Sequence, residues 1–227
     1  MSKQTITNSG HEWIMWLAMG LSYAVTVYVW PQAPETVPIH WNFEGVADGF
    51  ASKTLGLSLM PIVITVLYFF LRYLPLIDPK KENFEQFGRQ YSSIRIAVHL
   101  FLLIIHAGTT LSIVQQGPDF PVYMLLAVLG LFIVIGNAMI NIKQNYFVGI
   151  RTPWTLANNE VWVRTHRFGG YLWTAGGVVL LGISLLLLIA GVQQSLIMQI
   201  FIISMVLISL IPVLYSYLLY KKIQQKE

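Results

Sequence analysis

Five uncharged stretches govern what this chain can fold into. They run from Trp13 to Pro34, Thr54 to Leu71, Ile96 to Pro118, Phe120 to Asn141 and Phe168 to Tyr220. A helix needs about 20 apolar residues to cross a bilayer, and a spanning backbone without water must satisfy its own hydrogen bonds. The last stretch is long enough for two crossings and divides at the short polar turn Gly191-Val192-Gln193-Gln194. The reading is an all-α, polytopic membrane protein with six transmembrane helices, forming a single membrane domain over residues 1–227. Charge supports it: charged residues make up 11% of the chain, less than half the roughly 25% of soluble proteins. The first span lacks a clear small-residue cleavage site and is followed by comparable spans, so it is not read as a cleaved signal peptide.

The few charges are distributed by side. Lys3 precedes the first span, and Arg72, Lys80, Lys81, Arg89 and Arg95 lie between or flank the second and third. Lys143, Arg151, Arg164 and Arg167 join the fourth to the fifth, and Lys221, Lys222 and Lys226 close the chain. The opposite loops carry Lys53 against Glu35, Glu44, Asp48 and Asp119. Basic residues favour the cytoplasmic side of short loops, so both termini are expected inside, in a multi-pass protein of the cell membrane. That distribution also argues against direct nucleic-acid binding despite the net charge of +4. With no cysteine in the chain, disulfide frameworks and thiolate chemistry are excluded.

The first hairpin, residues 13–73, encloses the substantial external loop, residues 31–53. Its prolines and glycines read as a set of turns, with a brief extended piece at Val37-Pro38-Ile39-His40-Trp41. Trp41, Phe43 and Phe50 offer apolar contact, beside polar His40, Asn42, Glu44 and Asp48. Trp13, Trp16, Tyr28 and Trp30 mark the ends of the first span as interfacial aromatics do. Between the second and third spans, Phe84, Phe87 and Tyr91 are spaced as on an amphipathic surface helix.

The densest polar patch is the inner loop of residues 141–167, "NIKQNYFVGIRTPWTLANNEVWVRTHR". Gly149 permits a backbone conformation closed to other residues. Pro153 can open a short helix capped by Thr152; Asn158 or Asn159 can cap a second, with Glu160 in its first turn favouring the dipole. Two readings stand. The patch is either an interfacial loop with Trp154 and Trp162 at headgroup level, or a coupling surface made by Arg151, Trp154, Asn158, Glu160, Trp162 and Arg167.

Ionisable groups inside spans mark function more often than elsewhere. Arg95, His99 and His106 share one face of the third span, and Thr109 and Thr110 continue it outward. The stripe serves either as a proton or ion path, or as histidines bonded to neighbouring helices. No zinc-ligand spacing is present, since a site needs about four close ligands; no metal and no cofactor are expected. Asn137 and Asn141, one turn apart in the fourth span, can bond across helices. Gly169-Gly170, Gly176-Gly177 and Gly182 allow close helix approach, while Pro61 and Pro212 fall inside spans and would kink them unless the freed carbonyls find partners.

The ordered residues Asn145, Tyr146, Gly149, Ile150, Arg151, Thr152, Pro153, Trp154, Thr155, Leu156, Asn158, Trp162, Thr165, His166 and Arg167 closely resemble the hallmark of the SdpI-type bacterial membrane proteins. Pro38, His40, Asn42, Gly45, Asp48, Gly49 and Lys53 are similar to the short N-terminal domain found with it. The resemblance spans nearly the whole chain. It implies immunity to a secreted toxin peptide, without catalysis, and a receptor role in which a small autorepressor is held at the membrane. Membrane lipids, a toxin outside and a repressor inside are the partners it implies. A small-solute or ion transporter using the third-span stripe is the alternative, although matching broken helices are not evident. An enzyme is not expected, because the scattered Ser and His residues form no recognisable reactive set.

Overall fold

The computed structural model describes residues 11–42, 46–115 and 120–225. Lys3, Phe43, Glu44, Gly45, the Gly117-Pro118 turn, Asp119 and Lys226 lie outside the described residues. Helix α1 (Glu12–Val29) ends in a 3-10 turn (Trp30–Gln32) and leads to strands β1 (Thr36–Trp41) and β2 (Ala47–Ser52). Then follow α2 (Lys53–Ile77), α3 (Lys81–Gln86), α4 (Gly88–Gln115), α5 (Phe120–Met139), α6 (Pro153–Ala157), α7 (Asn159–Ile189) and α8 (Gln194–Gln224).

Five segments, residues 12–32, 53–77, 88–114, 159–189 and 194–224, are long and apolar enough to cross a membrane. Their outer faces suit lipid: Ile189 is 84% exposed and Leu186 68% exposed, a pattern that would cost heavily in water. The chain is a multi-pass helical protein of the cell membrane. Helix α5 is the sixth member of the expected set, with Met124–Met139 its shorter apolar part among the described residues.

Two groups of helices meet along α4 and α5. Helix α4 packs on α1, α2 and α5, while α7 packs on α5 and α8. Glycines set the second crossing. A Cβ on Gly170 would lie 2.7 Å from the Gly136 carbonyl oxygen, so the α5 and α7 backbones approach as only small residues allow. In each of the predicted glycine pairs, one member faces α5 and the other α8: Gly170 and Gly177 meet Ile140 and Ile133, while Gly169 and Gly176 meet Pro212 and Ile208.

Proline shapes α2 without breaking it. Pro61 and Pro75 both sit inside the helix, and each deprives the carbonyl four residues earlier of its usual donor. Another helix supplies the replacement. Thr26 Oγ1 donates to the Leu57 carbonyl at 3.0 Å, and Tyr91 OH donates to the Leu71 carbonyl at 2.5 Å.

Two expectations change. The loop of residues 31–53 holds an antiparallel hairpin where a set of turns was expected, the extended piece at residues 37–41 forming most of β1, with Thr36 opposite Ser52 and Pro38 opposite Phe50. Register irregularities around His40 absorb the breaks that suggested turns. Secondly, the amphipathic segment through Phe84, Phe87 and Tyr91 is not one continuous helix, although Lys81, Glu82, Glu85 and Arg89 are exposed on its other side. The helix is interrupted at Phe87 between α3 and α4, and all three rings turn inward into a core with Leu74, Met139 and Trp162.

Candidate functional site

The loop between α5 and α7 is organised by side chains that serve its own backbone. Asn145, fully buried, accepts from the amides of Phe147 and Val148 and donates to the carbonyls of Lys143 and Val148. Gln144 donates to the carbonyls of Thr155 and Leu156 at 2.9 and 2.8 Å, fastening the loop to α6. The segment after α2 is tied in as well. Asp78 accepts from the amides of Tyr146 and Lys80, Asn83 donates to the Gln144 carbonyl, and the Lys80 ammonium meets the Gln144 side chain.

Gly149 has φ +114°, and any Cβ there would run into His166. That close approach lets the neighbouring Ile150 amide donate to His166 Nε2 at 2.9 Å. Since Nε2 accepts, the proton sits on Nδ1, which donates to the Trp162 carbonyl at 2.9 Å. Trp162 stacks on the same ring at 4.0 Å and donates its indole N–H to the Ile142 carbonyl. The predicted caps form: Thr152 closes a capping box with Thr155, and Asn158 accepts from the amides of Glu160 and Val161.

This geometry sorts the proposed coupling residues. Arg151, Glu160 and Arg167 are exposed, while Trp154 is half-buried against Tyr217 at 5.0 Å. Arg151 donates to the Tyr146 carbonyl at 2.7 Å, and Glu160 pairs with Arg164 at 2.8 Å. Asn158 spends its side chain on capping. Trp162 is a correction: it is fully buried and locks the loop to α7, so neither a headgroup position nor partner contact is open to it.

At the other end, His40 and Asp48 meet across the hairpin at 2.5 Å, both exposed. Asn42 closes the turn by accepting from the Val46 amide and donating its own amide to the Val46 carbonyl. Phe50 is exposed and Trp41 half-buried. Beneath β1 lies a cleft of about 560 Å³, whose walls include Trp41, Met60, Leu102, Thr109, Met124 and Met198. It is mostly apolar with a polar rim, and its methionines can repack around an occupant.

The ionisable groups within the bundle do not form one path. Arg95 presents its planar fork to both oxygens of Glu12, at 2.6 and 3.2 Å. Arg72 and Tyr68 also donate to that carboxylate, at 3.1 and 2.9 Å. His99 Nδ1 donates to the Arg95 carbonyl, leaving His99 Nε2 and Arg95 Nε buried without partners. His106 belongs to a separate relay. Thr26 Oγ1 gives its proton to Leu57, so it accepts from His106 Nε2, which also faces the Ser22 carbonyl at 3.1 Å. Thr110 then donates to His106 Nδ1. Asn137 and Asn141 face outward instead of bonding across helices.

Glu12 is the residue that sequence reading missed. It is a lone acid at the head of the first apolar run, and that head is what meets Arg72 and Arg95. Among the described residues, no three His, Cys, Asp or Glu side chains gather as a metal site.

These features define a multi-pass membrane protein with a buried carboxylate–arginine cluster, a hairpin at one end and a self-bonded polar loop at the other. Residues 141–216 match the SdpI/YfhL protein family, and residues 17–65 match a domain of unknown function (DUF1648). Residues 141–216 thus carry the SdpI-type resemblance that the sequence suggested. Among curated proteins the chain is 28% identical to the Immunity protein SdpI of Bacillus subtilis (strain 168), over 89% of this chain and 92% of that protein. No solved structure matches.

Proposed function

We propose that this chain protects its cell membrane against a secreted toxin peptide. The observation that carries the reading is the relationship to Immunity protein SdpI along nearly the full length of both chains. Six spans with both termini in the cytoplasm put the hairpin outside, where the toxin arrives. The cleft beneath β1 suits an apolar side chain of an amphipathic peptide, and exposed His40 and Asp48 can meet its polar groups. Toxin recognition therefore belongs to His40, Trp41, Asn42, Asp48 and Phe50, with Phe43 and Glu44 completing the loop.

The cytoplasmic loop, residues 141–167, is the coupling surface in this scheme. Arg151, Trp154, Glu160 and Arg167 face a partner, and Asn158 and Trp162 hold them in place. A small repressor captured there would link toxin sensing to transcription. The transporter alternative gains little support: His106 has partners at both ring nitrogens, and Arg95 is clamped to Glu12.

The test is survival of a toxin-sensitive strain expressing the chain, at matched membrane levels. Exchanging residues 31–53 for the loop of a relative resistant to another toxin should switch toxin preference. Unchanged preference would count against recognition by the hairpin, and no survival benefit would sink immunity itself. Arg151→Lys keeps the charge but loses the guanidinium fork, so it should impair repressor recruitment while insertion and hairpin-dependent preference persist.

A further inference from the structure

On the outer wall of the bundle, between α4 and α5, two openings meet end to end. The opening nearer the 141–167 loop, about 360 Å³, is lined by Arg89, Gln90, Ser93, Asn137, Asn141 and Thr174 among others. The next, about 460 Å³, is almost wholly apolar, with Leu100, Ile104, Ala127, Gly130 and Leu131 in its walls. Val134 lines both, so the polar floor runs directly into the apolar channel.

The polar end has unused capacity. Arg89 takes part in none of the ion pairs among the described residues. Asn137, in the last turn of α5, and Asn141, just beyond its end, are both exposed beside it. Amide and guanidinium groups there need hydrogen-bond partners that acyl chains cannot supply. From Arg89 to Ile104 the seam follows α4 for about 22 Å at 1.5 Å per residue. Half a bilayer with its headgroup region measures roughly 20–22 Å. Polar end, apolar channel and length all match one lipid.

We infer that the α4–α5 seam binds one anionic phospholipid of the leaflet on the 141–167 side. Its phosphate lies on Arg89 and the Asn137 and Asn141 amides, and an acyl chain fills the channel past Gly130. Arginine favours phosphate through paired, charge-assisted hydrogen bonds. A free phosphate would leave the channel empty, whereas a lipid uses both halves. This holds whichever way the protein faces and does not depend on the immunity reading.

The experiment titrates delipidated full-length protein in detergent with phosphatidylglycerol or with phosphatidylcholine of the same chains, read by native mass spectrometry. One saturable adduct is expected, at least fivefold tighter for phosphatidylglycerol. Arg89→Gln should erase that preference. Gly130→Leu should weaken both lipids severalfold, and its added Cβ meets nothing within 4 Å. Circular dichroism checks that helix content is unchanged in both variants, and the Gly130 result stands if Arg89→Gln fails to fold. Glycerol phosphate, which has no chains, should not displace the lipid. Unsaturable adducts, insensitivity to both substitutions, or equal displacement by glycerol phosphate would each overturn the assignment.

Discussion

Glu12 shows how much one side chain can organise at the start of α1. Its carboxylate receives Arg95, Arg72 and Tyr68, and so joins α1 to both α2 and α4. Removing one partner of a buried ion pair typically costs about 3–5 kcal/mol, because the other charge stays buried and uncompensated. Glu12→Gln should therefore lower the midpoint of thermal unfolding in detergent far more than Glu160→Gln. The latter loses an exposed pair with Arg164, worth about 1 kcal/mol at most. Equal midpoints would show that the cluster contributes nothing special. A second residue-scale prediction separates scaffold from surface. Trp162→Phe removes the indole donor to Ile142 and should destabilise by about 1–3 kcal/mol, yet leave partner recruitment per folded molecule unchanged. Lost recruitment at normal stability would return Trp162 to the surface. The caps Thr152 and Asn158 were legible because capping is local. The Glu12–Arg95 pair was not, since its members lie 83 residues apart and nothing local joins them.

Among the elements, α2 illustrates why apolar length is easier to read than detail. Its length follows from a run of uncharged residues, and Pro61 was expected to kink it unless the freed carbonyl found a partner. What preserves it is a hydroxyl from elsewhere in the fold, which periodicity cannot reveal. Thr26→Val should cost about 1–2 kcal/mol by leaving the Leu57 carbonyl unmet. In a Pro61→Ala background the restored amide serves that carbonyl and His106 Nε2 keeps the Ser22 carbonyl, so the same substitution should cost less, by the part that the Leu57 carbonyl contributes. A double-mutant cycle in unfolding free energy measures the difference; purely additive effects would refute the replacement-donor account. The β1–β2 hairpin was obscured for a related reason. Each strand has six residues, too few for alternation to stand out against Pro38, Gly45 and Gly49. Ile39 and His40 are both exposed, so the alternation is itself broken at the irregularity.

For the whole molecule, function depends on which end is inside. The structure joins groups that the sequence could only count. Asp78 and Lys80 bind the 144–146 segment, and Glu12, Arg72 and Arg95 converge where α1 begins and α2 ends. The hairpin lies at the far end of the same helices. Basic residues thus gather at one end, which we propose, from the positive-inside tendency, is the cytoplasmic one. The chain has no cysteine, so single cysteines report position without background. A cysteine at Asp48 should react with an impermeant thiol reagent in intact cells. One at Ala157, exposed and free of the capping role of Asn158, should react only after permeabilisation. Labelling at Ala157 alone in intact cells would invert the protein and place the coupling loop outside. Labelling at both would mean that the two ends share a side, and the crossing count would then be wrong. Protection at Ala157 with reaction at Asp48 puts the hairpin cleft where a secreted peptide can reach it.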